Sequence, residues 1–366
     1  MRIGIDARLL SEPLTGIGRY SYEIIRALIT HKQHDFYIYS PQPFSMEQYD
    51  HVTYRHEGFQ GRLSRLFWAQ TYLPFWAHKD KLDVFWGTTH RLAPFLPQSC
   101  AKVVTIHDLV YLYAPETMRP SSFFAEKLLL PQAIKRADYI LADSKNTAQN
   151  INVHFPRQDI KIATVYPAAS QMPAPLPFSN LSTLGISSTY FLFVGTLEPR
   201  KNLARLLEAY GRLSAHDKAK AKLVIAGGKG WGNVHIDELI SKFNLQDDVI
   251  LTGYVSEEAL ATLYAHALFL AMPSLYEGFG LPIIESFSFG VPALTSHCSS
   301  MPEVGGDAAI LVDPFNVDEI KKGIITLLDK SQRQRLAQKT HDQLIQFSWK
   351  KAANQLINIF EDLELQ

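Results

Sequence analysis

The feature that most restricts this chain is a repeated form: a short apolar run, a polar or glycine-containing loop, then a helical stretch. In the first half the apolar runs are Arg2–Leu9, Phe36–Tyr39, Val52–Tyr54, Leu82–Trp86, Val103–Ile106, Tyr139–Ala142 and Ile162–Tyr166. Helical stretches lie before or between them, the first from Arg19 to about His31. Short continuous apolar runs fit strands buried on both faces, and strands separated by helices pair in parallel with helices on both sides of the sheet. From Pro167 to Ser182 the texture changes to proline among alanine, serine and asparagine, a linker composition. A second alternation follows, with strands expected at Tyr190–Val194, Leu223–Ala226, Val249–Thr252, Leu268–Met272, Pro292–Thr295 and Ala309–Val312. Its helices are expected at Leu203–Leu213, Glu257–Ala267, Pro282–Gly290 and Val317–Leu328. The fold class is therefore α/β, with two doubly wound, Rossmann-like domains joined by a hinge. Ligands of such sheets sit at the carboxyl ends of strands, and a cleft between two such domains is the default site.

The length of 366 residues supports two cores. Charge excludes little but nucleic acid: 36 Lys and Arg balance 36 Asp and Glu, so there is no basic excess. Up to Ser170 the count is 19 basic against 15 acidic, and beyond it 17 against 21, a weak polarity between the halves. Cys100 and Cys298 are far apart in sequence and read as reduced thiols. A strand begins at once, with no signal-peptide pattern before it, and no run approaches the ~20 apolar residues of a membrane span. A cytoplasmic location is the expectation.

Within the second alternation, Ser274–Glu285 carries the most chemistry. An apolar run ending at Met272-Pro273 leads to Gly278 and Gly280, then to Pro282, which suits a first helical turn. A helix N-terminus offers N–H groups and the positive end of a dipole to a phosphate. Glu277 and Glu285 would repel that phosphate, and paired hydroxyls are their natural targets. The stretch suggests a sugar–diphosphate–nucleoside ligand; a surface loop with a capping glutamate is the plainer reading.

Three further stretches sit at expected strand ends. Gly16-Ile17-Gly18 precedes a helix, but Ser21 stands where a dinucleotide fingerprint needs a third glycine, which disfavours NAD. A phosphate-approach loop and an ordinary tight turn are equally open. Gly195–Asn202 holds adjacent Arg200 and Lys201, either a clamp on a diphosphate or a solvated charge pair beside an N-capping Asn202. His107-Asp108 ends its strand; Asp108 either orients the histidine or begins a turn.

Together these stretches resemble a family 4 glycosyltransferase of the GT-B fold. The carriers are Thr15–Tyr20, Ile106–Leu109, Gly195–Asn202, the E-x7-E spacing of Glu277 and Glu285, Met301–Val304 and the closing Phe347-Ser348-Trp349. The pattern is closest to bacterial mannosyltransferases of surface-polysaccharide (O-antigen or capsule) assembly. The resemblance implies two domains facing across a deep cleft, 1–170 for the acceptor and 171–347 for the nucleotide-sugar, with a helix over 348–366 crossing back to the first. It implies a retaining transfer with no cofactor beyond the nucleotide-sugar substrate, GDP-mannose being the best fit, to a glycan or lipid-linked acceptor. Glu285 is expected on the ribose diol and Glu277 on a donor-sugar hydroxyl. Gly278, Phe279, Gly280 and Leu281 are expected on sugar and phosphate, Arg200 and Lys201 on the diphosphate, and Val255, after Tyr254, against the base. Gly16 and Gly18 are expected at the phosphates and His107 at the sugar near the reacting carbon. Many relatives carry an arginine where this chain has Thr196, so Lys201 is the firmer of the two cations.

Chemistry and resemblance agree: negative charge develops on a departing diphosphate, which cations and a helix dipole stabilise. No two aspartates are two apart, so no D-x-D metal triplet exists and metal independence is expected. The acceptor hydroxyl is expected to attack the front face, with the leaving phosphate oxygen taking its proton. The rivals are a nucleotide-sugar epimerase of the same architecture, a non-catalytic two-domain sugar-binding protein and, more weakly, a phosphorylase. Gly61–Lys81, with Arg62, Arg65, Phe67, Trp68, Phe75 and Trp76, reads either as a helix packed on the first sheet or as a contact with the cytoplasmic membrane face.

Overall fold

The structure, a computed structural model, describes residues 1–12, 16–232 and 235–364, apart from the side chains of Arg62 and Leu63. Thr15, the first residue of one motif above, lies outside the described residues. The chain divides into two compact units. One comprises Met1–Leu109, Ser121–Ala168 and Ser348–Gln366, the other Val110–Pro120 and Ala169–Phe347.

The first unit is built on seven strands: β1 Arg2–Asp6, β2 Asp35–Ser40, β3 Val52–His56, β4 Val84–Gly87, β5 Ala101–Ile106, β6 Tyr139–Ala142 and β7 Lys161–Thr164. They lie in the order β3-β2-β1-β4-β5-β6-β7, every pair parallel. The order reverses between β1 and β4, which makes the carboxyl ends of these strands the place for a ligand. β1 is shorter than the apolar pattern suggests. The buried Asp6 carboxylate accepts from the Arg8 side chain at 2.9 and 3.0 Å, and Arg8–Ser11 turns into a 3-10 segment instead of continuing the strand. The following helix spans Gly16–Leu28, so the two glycines form its first turn and not a loop ahead of Arg19.

The C-terminal helix, Trp349–Glu364, returns to this unit and lies along the helix Gly16–Leu28. Ala352, Ala353, Leu356, Ile357 and Phe360 recur at helical spacing and are buried in one core with Tyr20, Ile24 and Leu28. Each large apolar side chain so buried contributes roughly 1.5–3 kcal/mol. Gln355 Nε2 adds a hydrogen bond to the Thr164 carbonyl at 3.0 Å, and Glu361 meets His34 at 3.1 Å.

The second unit carries six strands: β8 Tyr190–Val194, β9 Lys222–Ala226, β10 Val249–Gly253, β11 Leu270–Met272, β12 Ala293–Ser296 and β13 Ala309–Val312. Their order is β10-β9-β8-β11-β12-β13, again all parallel, with the reversal between β8 and β11. Phe191, Phe193, Leu206, Leu207, Tyr210, Leu223, Leu294, Ile320 and Ile324 fill one core between sheet and helices. Val110–Pro120, which follows the His107-Asp108 motif in sequence, is held to this unit by Val110 and Ala114 against Tyr276 and by Tyr113 stacked on the Tyr276 ring at 5.4 Å. Among the described residues no helix is long and apolar enough to cross a membrane.

Candidate active site

In the second unit the two strands at the reversal deliver the two halves of a charged cluster. Gly195 follows β8, and Gly227 follows β9 at a point where a Cβ would stand 1.9 Å from the Gly195 carbonyl oxygen, so no side chain fits there. The chain then runs to the 3-10 turn Pro199–Lys201. Asn202 holds a left-handed backbone, φ 61°, and does not cap the next helix with its side chain. Its amide donates instead to the carbonyls of Pro273 at 2.9 Å and Pro314 at 2.7 Å, pinning this turn to the end of β11. The solvated-pair reading of Arg200 and Lys201 is therefore corrected: Lys201 is 9% exposed.

β11 delivers Glu277. Its carboxylate accepts from Lys201 Nζ at 2.7 Å and from Arg200 at 2.6 Å, while Arg200 also donates to Glu198 at 2.7 Å and to the Tyr276 carbonyl at 3.0 Å. Burial pushes the Glu277 carboxyl up, but the charges of Arg200 and Lys201 outweigh it and hold the group down at about 2. Glu277 is thus ionised at neutral pH and can only accept hydrogen bonds. Ser299 and Ser300 fix its backbone: Ser299 Oγ accepts from the Glu277 N–H at 3.1 Å, and the Ser300 hydroxyl lies 3.0 and 2.9 Å from the Glu277 and Phe279 carbonyls.

Gly280 then turns the chain at φ 101° into the helix Leu281–Ser288, with Pro282 in its first turn. Gly280 occupies the N-cap position and brings no capping side chain, which suits a helix end reserved for an anion. Gly278 and Leu281 are half-buried, and Phe279 packs edge-on against Phe347 at 5.4 Å. Glu285 is buried on that helix and accepts from the Tyr264 hydroxyl at 2.8 Å. Beyond β10, Tyr254 is exposed and Val255 half-buried. A separate groove of about 820 Å³, lined by Glu116, Glu198, Arg205, His235, Lys242 and Phe315, contains none of Glu277, Glu285 or Gly278–Leu281.

In the first unit the buried His107 directly follows β5. Its Nδ1 lies 2.5 Å from Asp143 Oδ2, at the end of β6, and its Nε2 lies 2.8 Å from the Thr88 carbonyl, just past β4. The acid beside the ring is Asp143; the neighbour in sequence, Asp108, instead turns its backbone N–H toward His90 Nε2 at 3.4 Å. His90 Nε2 also accepts the His107 N–H at 2.9 Å, and its Nδ1 faces Glu126 at 3.0 Å. Burial pushes His90 down and the Glu126 charge and hydrogen bond push it up, the net being upward. Two backbone N–H groups aimed at Nε2 nonetheless need it bare, so the neutral ring is the form this geometry holds. Gly16 is exposed with open space where a side chain would stand, and Gly18 is buried in the same turn.

Sequence reasoning missed Glu198, Tyr264, Ser299, Thr88, His90, Glu126 and Asp143. Asp143 alone carried a signal, as an acid just past an expected strand end; the others are joined to the site only by tertiary contacts.

Two family models match this architecture half by half: glycosyltransferase family 4 over residues 14–169 and glycosyl transferases group 1 over residues 184–343. The O-antigen chain mannosyltransferase B of Escherichia coli is 30% identical over 99% of this chain and 100% of its own. The chain belongs to glycosyltransferase family 4. This glycosyltransferase is also 28% identical to a serotype-specific mannosyltransferase, WbdA, of Escherichia coli, over 71% of this chain but only 33% of that longer one. Its fold matches sucrose-phosphate synthase from Thermosynechococcus elongatus with a TM-score of 0.76 at 16% identity, over 99% and 98% of the two chains. The GT-B fold and the transferase activity expected from the motifs are thereby shown.

Proposed function

We propose that this glycosyltransferase moves mannose from GDP-mannose to a hydroxyl of a growing polysaccharide or lipid-linked glycan, with retention and without a metal. The observation that carries this reading is the cluster of Glu277 with Arg200 and Lys201 beside an uncapped helix start. It holds an ionised acceptor for sugar hydroxyls and cationic donors for a diphosphate within one hydrogen-bond network. The mannosyl part is supported by the names of the relatives.

In this reading Arg200 and Lys201 receive the charge that develops on the departing diphosphate. The Lys201 ammonium carries three N–H groups and spends one on Glu277, so it meets a phosphate oxygen without leaving the carboxylate. Gly278, Phe279, Gly280 and Leu281 offer backbone to sugar and phosphate, Glu285 takes the ribose diol, and Val255 lies against the base. Gly16 and Gly18 serve the phosphates from the first unit, and His107 the donor sugar. The acceptor hydroxyl attacks the face the diphosphate leaves, and a phosphate oxygen takes its proton, so no protein base is required. The helix Arg62–Lys79 buries Trp68, Ala69, Leu73 and Ala77 but exposes Leu66, Phe67 and Phe75, an apolar face suited to peripheral contact with the cytoplasmic membrane surface.

The test is a thermal-shift comparison of GDP, UDP and ADP sugars, followed by transfer to a mannan acceptor with and without EDTA. A donor at 100 times its Kd stabilises by about 2.7 kcal/mol, and GDP-mannose is expected to give the largest shift. Stabilisation by UDP sugars alone would remove the mannose reading. Product of inverted configuration would remove the mechanism, and rapid isomerisation without acceptor would favour an epimerase.

A further inference from the structure

Two histidine–carboxylate pairs meet at residue 107, and three of their four members have no role in the reading above. We propose that Asp143 and His90 are positioning residues for glycosyl transfer. Asp143 sets the His107 ring so that Nε2 presents a proton, and His90 sets the backbone of the same residue. This rests on the donor-sugar role given to His107.

The Thr88 carbonyl only accepts, so the hydrogen in its 2.8 Å contact with His107 belongs to Nε2. At Nδ1 a single proton lies between ring and Asp143 Oδ2, 2.5 Å apart. Whichever of the two atoms holds it, Nε2 keeps its own. His107 is thereby a hydrogen-bond donor at Nε2 and not a base, and a sugar oxygen replaces the Thr88 oxygen without a change of tautomer. The other Asp143 oxygen, Oδ1, is buried with no hydrogen-bond partner among the described residues. His90 completes the arrangement from the other side. Its Nε2 takes the His107 N–H at 2.9 Å and its Nδ1 is anchored on Glu126, while the Tyr20 ring closes edge-on over the His107 ring at 4.9 Å. Without Asp143 the ring loses its anchor at Nδ1 and with it the orientation that aims Nε2–H at the Thr88 oxygen.

The experiment combines initial rates of mannose transfer from GDP-mannose with nitrogen-15 NMR of the histidine side chains. It uses His107→Ala, Asp143→Ala, their double variant, Asp143→Asn, His90→Gln and His90→Leu. Asp143→Ala is expected to lower kcat about 10-fold or more with donor KM little changed. In the His107→Ala background the same change is expected to cost less than about 2-fold. Equal losses in both backgrounds overturn the proposal, since a merely structural acid would act in either. Asp143→Asn, whose amide can donate to Nδ1, is expected to recover part of the loss and also serves if the alanine variant does not fold. His90→Gln keeps an acceptor for the His107 N–H and is expected to outperform His90→Leu; equal activities overturn that part. The NMR readout does not depend on the reaction: a wild-type His107 with bare Nε2 sinks the proposal whatever the rates. Transfer undiminished in His107→Ala, with the Asp143 pair seen by NMR in the wild type, removes the donor-sugar role itself and the proposal with it.

Discussion

The two units place acid beside base at the ends of their parallel strands in opposite ways. In the second unit Glu277 lies among cations, two strong donors on one carboxylate, and is held ionised at about 2. In the first unit Asp143 meets one nitrogen of a buried imidazole, a contact that holds the ring in place. The lesson is that similar strand-end geometry can serve two ends. A carboxylate between Lys and Arg is a fixed charge, suited to hydroxyls and to a diphosphate's neighbours; a carboxylate on an imidazole fixes the ring's orientation.

Removing the charge at Glu277 separates the two cases most sharply. Glu277→Ala leaves Arg200 and Lys201 without their shared counter-ion, and breaking a buried pair this way costs about 3–5 kcal/mol. Urea denaturation is expected to show that loss together with inactivity, whereas Asp143→Ala, leaving a ring able to stay neutral, is expected to cost clearly less. A smaller loss at Glu277 than at Asp143 would reverse the comparison.

Lys201→Met tests the other end of the cluster. Loss of a cation facing a developing charge typically costs about 100- to 1,000-fold in kcat. Steady-state kinetics with GDP-mannose should show that fall in kcat, and a change confined to KM would mean the lysine binds the ground state only.

Acid titration probes Glu277 directly. Its folded carboxyl lies below the unfolded value near 4.5, so its stabilisation is fully present above that value and is lost as pH falls toward 2. The shift corresponds to roughly 3 kcal/mol. Stability curves of wild type and Glu277→Gln are expected to stand apart at pH 7 and converge between about pH 5 and 2; parallel curves would refute the fixed-charge account.

Tyr264→Phe is a finer probe. It removes one hydrogen bond to buried Glu285, worth about 1 kcal/mol, and is expected to weaken GDP binding by about five- to tenfold in calorimetry. Smallest in stability are Phe67→Ser and Phe75→Ser, exposed positions expected to change it by about 0.5 kcal/mol or less. Both are expected to reduce co-sedimentation with anionic vesicles, and unchanged binding would count against the membrane contact.

Much of the architecture was legible because parallel strands buried on both faces are written as unbroken apolar runs. Tyr139–Ala142, Tyr190–Val194 and Ala309–Val312 coincide with their runs. β1 stopped short of Leu9 because Arg8 turned back on the buried Asp6 carboxylate outweighs the apolar pattern. The site followed the same rule. Arg200, Lys201, Glu277 and the Gly280 turn were readable as strand-end chemistry, and the structure joins them.

By itself the sequence determined two α/β units, the strand ends where ligands belong and the residue types gathered there. It could not say which acid serves which base. His107 stands next to Asp108 in the chain yet pairs with Asp143, because neighbouring parallel strands bring their ends together while adjacent residues point apart. Only the tertiary structure decided that pairing, and likewise that Glu277 holds both cations across 76 and 77 residues of chain.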